Sequence, residues 1–369
     1  MSYSKINRKV KKLIKSPGIF FRDYFNKKHP VTNTELGVDQ AVESAFVEYS
    51  NINTVEMPDN MYIDVVFTWV NNRDSEWQKK YEQHVLQSSV SNLGQYATDV
   101  ARFDNNNELF YSVKAVTTHL PWVRNIFIVT DNQTPQWVKK NSKVKIIDHK
   151  QIIDEAYLPT FNSHVIEAFL YRIPGLAENF IYFNDDVFVA RDLPKEHFFS
   201  ANGISSLFVS TKNLYSMMKR GVETPTLKAS FRSIELLSRY YPQKIENPLV
   251  HTYFPLKKSI YEKAWSLYEV EIRSFLPNKF RGNNDLNMAS FLVPWLAYCE
   301  ARAIEKVDIC YYFNIRSRHA LTRYEKLLKL KELDAPPHSF CANDFNSELE
   351  NYVPDYREKL LIMLENYYK

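Results

Sequence analysis

Phe183-Asn184-Asp185-Asp186-Val187-Phe188 carries the most pointed chemistry in this sequence. Two adjacent acids follow one apolar run and precede another, and carboxylates so placed are unfavourable to bury without compensating charge. A divalent cation compensates well, and Mg²⁺ takes one or two carboxylates together with water and phosphate oxygens. A turn or helix cap is the other reading of an Asn-Asp pair. A second segment, Arg102-Phe103-Asp104-Asn105-Asn106-Asn107-Glu108-Leu109, stands just before an expected helix. Ordinary capping explains part of it. A helix start also offers free amides to an anion, and Arg102 would add a bidentate phosphate clamp. In the stretch His251 to Ser259 a histidine stands upstream of Lys257 and Lys258, which suits a proton acceptor beside an anion-binding group. Two further clusters, Phe280-Arg281-Gly282-Asn283-Asn284-Asp285 and Asn343-Asp344, read by default as solvated loops.

The elements that must position these residues follow from hydrophobic periodicity. Residues 62–70, 125–131, 144–148 and 180–183 read as buried strands, and residues 109–119 and 164–171 as helices. Their alternation predicts an α/β fold with a Rossmann-like, mostly parallel sheet flanked by helices. Ligands of such sheets sit beyond the carboxyl ends of the strands. Three polar segments fall there: Asn71-Asn72-Arg73-Asp74, Thr130-Asp131-Asn132 and Asn184-Asp185-Asp186. Past residue 200 the pattern predicts largely helical insertions punctuated by proline, with helices over 320–334 and 355–368.

Composition bounds the function classes. The chain has 369 residues, 45% of them hydrophobic and 15% aromatic, which suits one enlarged domain with a large core, or two intimately packed ones. Its aromatic rings also suit carbohydrate work, although most must be core. Cys299, Cys310 and Cys341 have no close metal-binding spacing and cannot all pair, so a reducing, cytoplasmic setting is expected. No apolar run is long enough to span a bilayer, and the start is not a signal peptide. Residues 1–30 carry nine Lys or Arg against one acid, +8 in a chain whose total is +4, so the rest is net −4. The basic signal is local, which argues against a nucleic-acid partner. With Ile6, Val10, Leu13, Ile14 and a following aromatic cluster, this segment reads as a basic amphipathic element for an anionic membrane surface. A helix packed on the protein's own body, or on a sister subunit in a homo-oligomer, is the other reading. Residues 31–60 read as a linker, 61–345 as the catalytic unit and 346–369 as a C-terminal helix.

Taken together and in order, these segments resemble the Stealth family, which includes bacterial capsular polysaccharide phosphotransferases. Ile63 to Val70 with Asp74 and Trp77 resembles its first conserved region. Arg102 through Trp137, Phe161-Asn162-Ser163-His164, Arg172 to Leu176 and Tyr182 to Asp186 resemble the second. The third is matched by His251 to Ser259, and the fourth, most loosely, by Phe280-Arg281 with Asp285. Asn72, Ser75 and Asn105 depart from residues common in the family.

The resemblance implies transfer of a hexose- or N-acetylhexosamine-1-phosphate from a UDP-sugar to a hydroxyl of a capsular oligo- or polysaccharide, free or lipid-linked, with release of UMP. It implies Asp185 and Asp186 as ligands of Mg²⁺ or Mn²⁺, with Asn184 in support. Asp64, Thr68, Trp69 and Asn71 are expected at the uridine and diphosphate end, with Glu108 and Asn343 in the substrate site. Arg102, Lys258 and Arg281 are expected on phosphate oxygens, with Asp285 beside them. His251 is the expected base and His164 the reserve. The setting implied is the inner face of a bacterial cell membrane, held peripherally. Two rivals stand: a GT-A-type glycosyltransferase that releases UDP, and a membrane-peripheral scaffold that only binds glycan.

Overall fold

The structure, a computed structural model, describes residues 10, 13–15, 17–28, 39–49, 57–87, 94, 97–99, 102–222, 224–344 and 352–369. Among the described residues, ten strands run in chain order as β1 (Ile63–Thr68), β2 (Ile126–Thr130), β3 (Val144–Asp148), β4 (Asn179–Asn184), β5 (Val187–Val189), β6 (Ser205–Phe208), β7 (Phe254–Lys257), β8 (Ala303–Lys306), β9 (Cys310–Asn314) and β10 (Ser339–Asn343). The central sheet has the order β3-β2-β1-β4-β7. Every pair in it is parallel except β4 with β7. This is the mostly parallel α/β architecture expected. Thr68 pairs with both Val129 and Asn184, and Thr130 with Asp148, so the carboxyl ends of four strands lie level along one edge.

Alternation along β1 explains the layering. Val65 and Phe67 face one core, shared with Leu109, Val113 and Val116 of the helix Glu108–His119. Val66 faces the other, shared with Ile260, Tyr261, Ala264 and Trp265 of the helix Lys258–Phe275. Successive strand residues point to opposite faces, while apolar residues three and four apart line one helix face. Both faces of the sheet are therefore covered, as a parallel sheet requires.

The region past residue 200 holds more strand than the periodicity predicts. Alongside the helices Pro225–Ser238, Lys258–Phe275, Val293–Cys299 and His319–Glu332 come β6 to β10. These strands have only four or five residues each, too few for an alternation to register. Pro255 in β7 disguises a strand, but β7 is the sheet's edge, where a missing N–H is tolerated. The helix Tyr356–Tyr367 shares the core of the preceding region through Leu360, Met363, Leu364 and Tyr367. The expected linker is partly corrected as well. Within 31–60 the helix Gln40–Tyr49 packs on the body, where Tyr311 Oη donates to the buried Glu43 carboxylate at 3.0 Å. Most of residues 1–16 lie outside the described residues. Among the described residues, no helix is long and apolar enough to cross a membrane.

Candidate active site

A cavity of about 330 Å³ opens at the carboxyl edge of the sheet. Its acidic wall comes from two elements. Asp185 and Asp186 form the turn between β4 and β5, and Glu108 begins the helix Glu108–His119. Asp186 Oδ2 accepts from Asn343 Nδ2 at 2.9 Å and from the Cys341 thiol at 3.4 Å, while Asp186 Oδ1 is buried with no hydrogen-bond partner. Asn106 donates its backbone N–H and its side-chain amide to the Glu108 carboxylate. Even so, burial pushes Glu108 up to about 7, with Asp186 adding to the shift. Burial, then Glu108, then Asp186, hold Asp185 well above the usual carboxylate range. Acids that crowd together and lack counter-charge fit a divalent cation.

His251 stands beside them. Its ring, the Asp186 carboxylate and the Cys341 sulfur offer atoms that all lie within 4.8 Å of one another. The ring is exposed at the cavity mouth, and the loss of solvation by the surrounding protein lowers its pKa, partly offset by Asp186, so it is neutral at pH 7 and able to take a proton. Its edge meets the Tyr312 ring at 5.5 Å between centroids. Cys341 remains a thiol, because burial and Asp186 push its pKa well up. It therefore serves Asp186 as a donor, and a hard ion would find its oxygens in the carboxylates.

Opposite charge is present in the same cavity. Arg102 and Arg281 both line it. Arg281 is steered by Ser163, whose Oγ accepts from Nη2 at 2.6 Å and Nε at 3.2 Å. Burial lowers both guanidinium pKa values, and the charge of Arg281 lowers that of Arg102 further. Two cations held this close favour a polyanion between them.

Of the residues expected from sequence, Thr68, Trp69, Arg102, Glu108, Asn184, Asp185, Asp186, His251, Arg281 and Asn343 line this one cavity. Five others do not. Asp64 lies at the amino end of β1, where its carboxylate takes Arg124 Nε at 2.9 Å, Arg124 Nη2, and the backbone amides of Asn125 and Ala177. Lys258 follows β7, which runs antiparallel to β4, so it too sits at the amino edge, with its backbone N–H on Glu178 O at 2.9 Å. Asn71 lies at the rim, its backbone bridged on both sides by the Gln133 amide. His164 and Asp285 are buried against each other at 3.0 Å. Burial lowers the His164 pKa. Although burial pushes the Asp285 carboxyl up, hydrogen bonds from His164, Asn278 and Asn162 bring it below the usual range. Asp285 also accepts from Gly282 N at 3.0 Å, so this pair shapes the loop that presents Arg281.

Two acids of the segments singled out from sequence are tied by arginines that carry no signal there. Asp104 and Asp344 line the cavity and are held by Arg316 and Arg357, with Arg316 Nη2 reaching Asp344 at 3.2 Å and Asp104 at 3.4 Å. Arg316 is isolated in sequence, and no motif marks it. Behind His251 lies a second buried network. Asp308 accepts from Tyr253 Oη at 2.6 Å and Ser339 Oγ at 3.1 Å, with His197 Nε2 at 2.9 Å, and Thr252 Oγ1 meets Ser339 Oγ at 2.7 Å. It ties the segment after His251 to the strand that carries Cys341 and Asn343.

Two family models match the chain: conserved region 1 of Stealth proteins over residues 61–84 and conserved region 2 over residues 102–207. A capsular polysaccharide phosphotransferase of Actinobacillus pleuropneumoniae is 55% identical over 99% of this chain and 100% of its own length. One from Neisseria meningitidis is 54% identical over 98% and 100%. An exopolysaccharide phosphotransferase of Streptomyces coelicolor is 31% identical over 83% of this chain and 51% of its own. Among solved structures, a galactosyltransferase in complex with donor and acceptor sugar analogues gives a TM-score of 0.40 at 10% identity, over 82% of this chain and 95% of that one. With both conserved regions in place and full-length relatives at more than half identity, the chain belongs to the Stealth family of capsular polysaccharide phosphotransferases.

Proposed function

We propose that this protein transfers a sugar-1-phosphate from a UDP-sugar to a hydroxyl of a growing capsular glycan. The supporting observation is the opposition, across one cavity, of three under-compensated acids to two arginines, with a neutral histidine beside them. A diphosphate and a divalent ion together satisfy both walls. Asp185, Asp186 and Glu108 would hold the ion, Mg²⁺ or Mn²⁺, with Asn184 in support. When bound it supplies charge neutralisation on the diphosphate oxygens. Arg102 and Arg281 orient the phosphates and stabilise charge that grows on them as the bridge breaks. His251 accepts the proton of the acceptor hydroxyl. That oxygen bonds to the phosphorus nearer the donor sugar, the bridging P–O bond breaks, and UMP departs with the electron pair.

Docking at the inner face of a bacterial membrane belongs to the same reading. The helix Pro17–Lys28 leaves Phe21, Tyr24 and Phe25 about half exposed within the segment of densest positive charge. Aromatic rings flanked by cations suit an anionic lipid surface. Incubation with UDP-sugars, acceptor glycan and Mg²⁺, followed by nucleotide analysis, tests the bond assignment. UMP is the expected product. UDP would assign the chemistry to glycosyl transfer.

A further inference from the structure

The cavity has a second end, and an unassigned histidine stands there. Asp148 closes β3 and caps the short helix His149–Ile152 through the Lys150 N–H at 2.8 Å, which places His149 at the carboxyl edge. His149 lines the cavity, is 5% exposed, and keeps both ring nitrogens buried without a hydrogen-bond partner. Trp69, at the carboxyl end of β1 and in the same cavity, likewise has a buried indole N–H without a partner. Such orphaned groups are costly to bury, and a ligand that pairs with them returns that cost. Burial lowers the His149 pKa to about 4, despite Asp131 and Asp148 nearby, so at neutral pH the ring offers one N–H and one bare nitrogen.

The strand order fixes how far this end lies from the acids. β3 is three strands from β4, and at about 4.8 Å per interval that is roughly 14 Å. A nucleoside diphosphate covers such a distance from base edge to distal phosphorus. Trp69, Trp77 and Phe161 contribute aromatic surface to the cavity between. Base-on-ring stacking is sequence-tolerant, so hydrogen bonds must supply any choice of base.

We infer that His149 belongs to a nucleobase subsite, its bare ring nitrogen accepting the imide N–H of a uracil while Trp69 donates its indole N–H to a ring carbonyl. Cytosine lacks that imide proton and is disfavoured. The inference rests on the nucleotide-sugar reading above, and it places the base at the end of β3 rather than at Asp64.

Calorimetric titration with UMP, CMP and inorganic diphosphate tests it. The unaltered protein binds UMP at least about tenfold better than CMP. His149→Phe, which keeps a ring and removes both nitrogens, loses about tenfold in UMP affinity and most of that preference, with diphosphate affinity unchanged. Ring ¹⁵N resonances of His149 in the unaltered protein, shifting with UMP but not with diphosphate, support the subsite without a variant. Unchanged UMP affinity in a folded His149→Phe protein, or ¹⁵N shifts indifferent to UMP, overturns the subsite. A wild-type protein that binds diphosphate but neither UMP nor a UDP-sugar overturns the donor reading instead.

Discussion

The two edges of the central sheet treat their acids in opposite ways. At the amino edge Asp64, fully buried, is saturated by Arg124 and by backbone amides. At the carboxyl edge Asp185, Asp186 and Glu108 are crowded together, and one oxygen of Asp186 has no partner at all. A buried carboxylate with every lone pair occupied has finished its work in folding. A group left incomplete in the folded state awaits a ligand. By sequence position alone Asp64 and Asp186 look alike, since each borders an apolar strand.

Substitutions at the two edges should therefore separate activity from stability. The largest effect is expected at Asp186→Asn, which abolishes UMP release while circular dichroism shows an intact fold; wild type in EDTA should behave the same way. Full turnover in EDTA would remove the ion from the site. His251→Ala should lose roughly 10²–10⁴-fold in kcat, and a loss below about tenfold would move the base elsewhere. At the other edge, Asp64→Asn strips Arg124 of its charge partner. It should lower unfolding free energy by about 2–3 kcal/mol, less than a fully buried pair because Arg124 reaches solvent, yet leave kcat of the folded fraction unchanged. A large kcat loss there would erase the contrast between the edges. The smallest effect concerns pH. Glu108 has a folded value of about 7 against 4.5 ordinarily, so between these the folded state holds more protons than the unfolded state. Measured against Glu108→Gln, in which the histidines of lowered pKa contribute equally, metal-free wild type should lose melting temperature as pH rises from about 4.5 to 7. A saturating divalent ion should flatten that slope.

Much of this is legible in the sequence. The strands β1 to β4 and the helix Glu108–His119 carry clear periodicity; the carboxyl-end rule brings Asn184-Asp185-Asp186, and the helix-start reading brings Arg102, to the lining of one cavity. Lys258 fails for a physical reason: β7 enters antiparallel, which carries its end to the wrong edge, and no local pattern encodes strand direction. Asp285 and His164 stand out as polar and clustered, but only packing shows that they satisfy each other. His149 escapes notice because it looks like a residue opening a helix. Its significance is an unmet hydrogen bond, a property of the folded surroundings alone.

The ties from Arg316 and Arg357 to Asp104 join residues 212 and 253 positions apart in the chain. Asn106, two residues before Glu108, is similarly joined to Asp344 across 238 positions. Contacts of such separation form late, because the intervening loop must close before they can contribute. Ion-binding competence should consequently appear in the final stage of refolding, after the sheet has acquired native helicity and core fluorescence, and partly folded chains should ignore the cation altogether.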